Sequence, residues 1–102
     1  MGGSNSSDNE IQSALQQPNR LVIDCRSAGE FSCGDGFTEA VNIPIDSLES
    51  RLGEILPKDR TLVTYCAAGA RAARAANILK SHGYSQVFSA TNAAHIRKLL
   101  KF

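Results

Sequence analysis

The sequence predicts an α/β fold, a small and mainly parallel sheet with helices on both faces. Three observations lead there. Short aliphatic or β-branched runs alternate with stretches of helical periodicity along the 102 residues. Two segments, Ser7-Asp8-Asn9-Glu10 and Ser27-Ala28-Gly29-Glu30, have the form of helix capping boxes. Neither an internal repeat nor a long linker interrupts the alternation, so a single domain fits the chain length.

The elements follow in order. The first capping box opens a helix with Ile11, Ala14 and Leu15 at helical spacing, and Pro18 stops it. Leu21-Val22-Ile23 reads as a buried strand ending at Asp24, and Ser27 caps a short helix directly after it. Cys33-Gly34-Asp35-Gly36 reads as loop, and Asn42-Ile43-Pro44 as an extended piece. Asp46 is expected to cap a helix carrying Leu48, Leu52, Ile55 and Leu56, closed by Pro57. Thr61-Leu62-Val63-Thr64-Tyr65 is a strand that runs straight into Cys66. From Gly69 to about Ser81 an alanine-rich helix follows, with Arg71, Arg74, Asn77 and Ser81 on one polar stripe and Gly83 at its end. Gln86-Val87-Phe88 reads as the last strand, and Ile96, Leu99 and Leu100 mark a terminal helix. Residues 1–8 are expected as a flexible tail and residues 9–102 as the folded domain.

With 42% hydrophobic residues, 21% charged residues and a net charge of +1, the composition is that of an ordinary globular chain. Neither sign of charge dominates, so bulk attraction to nucleic acid or to an anionic membrane is not expected. Any anion site must be local. No apolar run approaches the roughly 20 residues that span a bilayer. The opening residues lack the basic start and apolar centre of a signal peptide. The compartment stays open: cytoplasmic if Met1 is the native start, periplasmic if a signal peptide has been removed.

Cys25, Cys33 and Cys66 are too few, and odd in number, for a disulfide scaffold, so at least one thiol is free. No pair has C-x-x-C spacing and neither His82 nor His95 lies near a cysteine in sequence, which argues against a zinc site.

The informative stretch is Cys66-Ala67-Ala68-Gly69-Ala70-Arg71. A cysteine between a buried strand and a helix sits at the carboxyl edge of the sheet, where open α/β folds place ligands. The small residues after it let the backbone curl, and Gly69 can adopt conformations closed to other residues. Curling turns N–H groups toward the sulfur and makes an anion nest at a helix N-terminus. Such a nest and a nearby guanidinium favour thiolate, the nucleophilic form. A lone cysteine at a strand end is more often a small apolar filler. Here the glycine and the two arginines, Arg71 and Arg74, one turn apart and able to face an oxyanion, weigh against the filler.

Several segments together resemble rhodanese domains, most of all small single-domain members of the phage-shock type. Asp24-Cys25-Arg26-Ser27-Ala28-Gly29-Glu30-Phe31 is similar to the family's D-x-R-x-x-x-E-[FY] segment, and Ala40-Val41-Asn42-Ile43-Pro44 to its A-x-N-I-P segment. Leu56-Pro57-Lys58-Asp59-Arg60 looks like the lead into the active-site strand. Cys66 to Arg71, with Ala75-Ala76-Asn77-Ile78-Leu79 and Gly83-Tyr84, is similar to the catalytic loop and its helix. The likeness runs from Leu21 to Phe88.

That resemblance implies a thiosulfate sulfurtransferase. Cys66 would carry sulfur as a persulfide between a small anionic sulfur donor and a thiol or cyanide acceptor, with ping-pong kinetics. Backbone groups of Ala67, Ala68, Gly69, Ala70 and Arg71 would cradle the charged sulfur, and Arg71 would orient the donor's sulfonate, with Arg74 one turn behind it. Asp24 and Arg26 would support the site. No metal or organic cofactor is required, and a monomer is expected. A cysteine-dependent phosphatase needs five residues between cysteine and arginine; here four stand between Cys66 and Arg71.

Two departures touch the expected active-site face. Gly36-Phe37-Thr38-Glu39 stands where the family commonly has G-H-I-x-G, and Thr91-Asn92 where a Gly-Gly pair is common. Both put donor preference and loop shape in question. Smaller expectations concern single residues. Arg26 and Glu30 pair across one helical turn, and Asp24 accepts backbone hydrogen bonds rather than acting as a base. Cys25 is core filler or, alternatively, resolves a Cys66 persulfide as a disulfide. Cys33 is exposed and incidental, His82 meets a helix dipole, and His95 lies partnerless on the surface. The rival functions are a non-catalytic protein-binding module and a persulfide or redox sensor.

Overall fold

The structure is a computed structural model that describes residues 5–101. Four strands form one parallel sheet in the order β2-β1-β3-β4: β1 is Leu21–Asp24, β2 Val41–Asn42, β3 Thr61–Tyr65 and β4 Gln86–Ser89. Helices α1 (Asp8–Leu15) and α4 (Ala93–Leu100) cover one face, and α3 (Ala70–Ser81) covers the other. Helix α2 (Ala28–Phe31) is a single turn between β1 and β2. The expected fold class is the observed one.

Side-chain alternation along β3 explains the two-layer core. All five of its residues are buried, with Leu62 in the cluster under α3 and Val63 and Tyr65 in the cluster under α1 and α4. A central parallel strand buried on both faces favours β-branched and apolar residues throughout, and Thr61–Tyr65 follows this with its two threonines buried as well. On α3, Ala72, Ala73, Ala75, Ala76 and Leu79 are buried while Arg74, Asn77 and Ser81 are exposed, so the polar stripe lies where the spacing predicts it. The small alanines bring the helix backbone close to the sheet.

Both capping boxes form. Ser7 and Glu10 close the first turn of α1, and Ser27 and Glu30 that of α2, each serine accepting a backbone N–H at 3.2 Å. The helix expected after Asp46 does not form as an α-helix. Two 3-10 segments, Ile45–Ser47 and Glu49–Ile55, take its place, with a non-helical Arg51 inside and no side-chain cap from Asp46. Burying Leu48 and Ile55 under the sheet favours this tighter, broken path over a regular helix.

The expected tail also differs. Ser6 N–H donates to the Ser89 carbonyl and Ser89 N–H to Ser6 Oγ, each at 2.9 Å, while Asn5 Nδ2 donates to the Gly69 carbonyl at 3.1 Å. Residues 5–8 are therefore attached to the domain. Residues 1–4 of that tail lie outside the described residues.

Candidate active site

In-register pairing sets the site. Asp24 of β1 lies beside Tyr65 of β3, so Cys25 and Cys66 follow side by side where the two strands end. Cys25 N–H donates to the Tyr65 carbonyl at 2.8 Å and carries the ladder one step further. Beyond Cys66 the chain turns through Gly69, whose φ of 102° is in the left-handed region that glycine tolerates. That turn aims the Gly69 N–H at Cys66 Sγ at 3.0 Å, and the first turn of α3 adds the Ala72 N–H at 3.4 Å. The buried Thr64 hydroxyl donates to the Ala72 carbonyl at 2.9 Å and ties that turn to β3. The sulfur thus sits against two amides at a helix N-terminus; of the expected Ala67–Arg71 donors only Gly69 faces it, and Ala72 lies beyond that stretch.

Cys66 is only 2% exposed, but it is not sealed in apolar packing. It lines a cavity of about 250 Å³ together with Ala67, Arg26, Asp35, Tyr65 and the Asn92–Ala94 stretch, with Arg97 at the edge. The Thr91 carbonyl stands 4.0 Å from Sγ.

Behind the cavity lies a buried ionic cluster. Asp24, fully buried, accepts the Arg26 backbone N–H at 2.9 Å, the Arg26 guanidinium at 2.8 to 3.1 Å and the Tyr65 hydroxyl at 2.8 Å. Arg26 also donates to Asp35 at 2.8 Å, and the two carboxylates, Asp24 first, hold its guanidinium firmly charged. Tyr65 accepts the Phe37 N–H at 2.8 Å; burial first, and Asp24 after it, push its phenol up to about 12. A Cβ at Gly36 would stand 2.9 Å from both Arg26 Nη2 and Tyr65 Oη, so this cluster needs glycine there.

The remaining predicted residues divide. Gly69 is a donor to sulfur; Ala67, Ala68 and Ala70 are exposed around it, and only Ala67 lines the cavity. Arg71 is bound by Glu30 at 2.7 and 3.0 Å and is held further into its charged range by Glu30 first, with the Cys66 sulfur adding to it. Arg74 is exposed and away from the cavity lining. Arg26 does not pair with Glu30: its partners are Asp24 and Asp35, because its side chain turns back over the strand end while Glu30 reaches across to α3.

Cys25 is buried, and that burial pushes its thiol up to about 12. Cys33 is exposed. His82 closes the C-terminus of α3 and meets Glu49 at 3.0 Å. His95 is not partnerless: Nδ1 accepts the Thr91 N–H at 3.1 Å and Nε2 meets Asp8 at 2.7 Å, because α1 packs against α4. Among the described residues no group of three or more His, Cys, Asp and Glu is placed to hold a metal. No helix among them is long and apolar enough to cross a membrane.

Sequence reasoning missed Tyr65, Asp35 and Arg97. Tyr65 was accessible to it, since alternation puts the residue before Cys66 on the opposite face of β3. For Arg97 the only signal was a basic last turn on the terminal helix.

The profile of the rhodanese-like domain matches residues 7–93. The chain belongs to the rhodanese-like domain family. Among solved structures, a rhodanese with anions from E. coli superposes with a TM-score of 0.68 at 28% identity, covering 74% of this chain and 89% of that one. An NAD-dependent persulfide reductase from A. fulgidus superposes at 0.62 and 31% identity over 79% of this chain and 14% of its own. Among curated relatives, the tRNA uridine(34) hydroxylase of Escherichia coli O1:K1 / APEC is 31% identical over 84 residues, 78% of this chain. The chain spans about a quarter of that relative's length, 24%.

Proposed function

We propose that this rhodanese-like domain moves sulfane sulfur through a persulfide on Cys66, from thiosulfate or a persulfide donor to cyanide or a thiol. The observation that carries the reading is the pair of amides, Gly69 at 3.0 Å and Ala72 at 3.4 Å, donating to a sulfur that opens on a cavity. Structural filler needs neither feature. A persulfide reductase among the similar folds supports persulfide chemistry as the class.

In the first half-reaction the Cys66 thiolate attacks the outer sulfur of thiosulfate. The sulfur–sulfur bond breaks, sulfite leaves with its electron pair, and one negative charge remains on the outer persulfide sulfur. In the second, cyanide or a thiolate attacks that outer sulfur and the Cys66 thiolate leaves, giving thiocyanate or a new persulfide. Both steps are displacements at sulfur, so preorganised amide donors that hold charge throughout are the main service the protein provides. The Gly69 and Ala72 amides take the charge of the added sulfur, with Arg71 held beside the loop by Glu30.

Intact mass after incubation with thiosulfate tests this. The parent should gain one sulfur atom and Cys66→Ser none, and cyanide should then discharge the adduct as thiocyanate. A parent that gains no sulfur from thiosulfate or from a persulfide donor overturns the reading in favour of a non-catalytic binding module.

A further inference from the structure

We infer that Arg97 selects anionic donors by receiving their oxyanion end at the mouth of the Cys66 cavity. The inference rests on the sulfur-transfer reading and assigns to it a residue beyond the segment matched by the family profile, which ends at 93.

Three guanidiniums surround the cysteine, and they are not equivalent. Arg26 is bound by two carboxylates, Asp24 and Asp35, and its side chain is 8% exposed. Arg71 is bound through both terminal nitrogens by Glu30. Each of these arginines has its charge matched by a nearby anion. Arg97 lines the same cavity, is exposed, and donates only to the Gly36 carbonyl, at 3.3 Å. Among the described residues no carboxylate forms an ion pair with it, and Asp35 feels its charge only through space. A long bond to a neutral carbonyl exchanges readily for a shorter charge-assisted bond to an oxyanion.

The need for such a group follows from the other charges at the mouth. The Asp35 carboxylate is 72% exposed there, and Arg26, which binds it, already faces Asp24. A dianionic donor approaching a thiolate past that carboxylate meets repulsion, and Arg97 is the cation of the cavity wall that offsets it. An uncharged reagent gains nothing from Arg97.

Two measurements test the assignment. In steady-state thiocyanate formation, Arg97→Gln should lower kcat/KM for thiosulfate about tenfold, the size of one charge-assisted contact in a half-open site. The value for cyanide, a monoanion with no oxygens to seat, should fall by less than that for thiosulfate, and Arg97→Lys should recover most of the loss. Separately, sulfate should slow alkylation of Cys66 by iodoacetamide in the parent but not in Arg97→Gln, each rate taken relative to the same protein without sulfate. An unchanged thiosulfate value together with unchanged sulfate protection overturns the assignment. If the parent forms no persulfide, the transfer reading fails by itself. The sulfate experiment still decides the anion seat in that case, protection that depends on Arg97 supporting it and protection that does not overturning it.

Discussion

Both carboxylate oxygens of Glu30 bind the guanidinium of Arg71, at 2.7 and 3.0 Å, across 41 positions of sequence. The same carboxylate accepts the Ser27 N–H at 3.0 Å and closes the capping box of α2. One side chain therefore starts a helix and fixes the arginine that ends the cysteine loop. The arginine expected to orient a donor's sulfonate is tied to a carboxylate and lies outside the cavity lining.

This tie predicts a pH window. Arg71 first, and the Ser27 N–H next, hold the Glu30 carboxyl down to about 2. For a lowered acid, the stabilisation is complete above the ordinary carboxylate value and disappears as pH falls through the folded value. The Glu30–Arg71 link should persist at pH 4 and fail toward pH 2. Titration of the Glu30 carboxyl by NMR checks it, and Arg71→Ala should move the midpoint most of the way back toward 4.5. Glu30→Gln keeps the helix cap but leaves Arg71 uncompensated. Thiosulfate loading should then rise by about two- to fivefold at low salt and fall more steeply with ionic strength. A slower reaction would mean that the fixed position of Arg71 outweighs its charge.

A second prediction concerns Gly69 and Asn5. A Cβ at Gly69 would stand 2.7 Å from Asn5 Oδ1, and the residue's φ is 102°. Gly69→Ala should cost about 1–2 kcal/mol through the backbone alone and more through the clash, while displacing the N–H that faces Cys66. Adding Asn5→Ala removes the clash but not the dihedral strain. Denaturation midpoints of the two single variants and the double should therefore show coupling, with the double less destabilised than the sum. Strict additivity would place Asn5 away from the loop.

The alternation of elements was legible because it is written locally. Thr61 to Tyr65 is β-branched and aromatic, Ser7 and Ser27 carry glutamate three residues on, and the alanines of α3 repeat at helical spacing. The position of Cys66 between strand and helix came from the same local signals. What was not legible depends on partners far away in sequence. Spacing favoured an Arg26–Glu30 pair, but the fold gives Arg26 to Asp24 and Asp35 and Glu30 to Arg71. His95 read as partnerless because Asp8, 87 positions distant, meets it only once α1 and α4 share a face. The segment over Ile45–Ile55 has helical spacing of its apolar residues, yet packing under the sheet breaks it into 3-10 turns.

The buried cluster predicts alkaline sensitivity. Tyr65 donates to Asp24, accepts from Phe37, and has its phenol pushed up to about 12 from an ordinary 10. A raised acid stabilises the fold below the ordinary value and loses that contribution as pH rises toward the folded one. Urea midpoints of the parent should fall between pH 10 and pH 12, and Tyr65→Phe should show a shallower fall. At neutral pH the same variant leaves the Phe37 N–H without its acceptor, at a cost of about 1–3 kcal/mol. Equal slopes for parent and variant would show that Tyr65 does not carry the effect.

Cys25 beside Cys66 raises the question of whether the pair resolves a persulfide as a disulfide. Such a step needs Cys25 as thiolate to attack Cys66 Sγ and expel hydrosulfide. Burial pushes the Cys25 thiol up to about 12, and the Cys66 and Asp24 charges add to the shift. At pH 8 the attacking form is therefore scarce, and apolar neighbours such as Ile23 and Leu62 restrict its approach. The expected result is a persulfide that survives its neighbour. Native alkylation at pH 8 should label Cys33 and Cys66, with Cys25 labelled only after denaturation. After thiosulfate loading, peptide mapping should find the extra sulfur on Cys66 and no Cys25–Cys66 disulfide, and Cys25→Ala should leave the lifetime of the adduct unchanged. A disulfide in the parent, together with a longer-lived adduct in Cys25→Ala, would instead make Cys25 the resolving thiol.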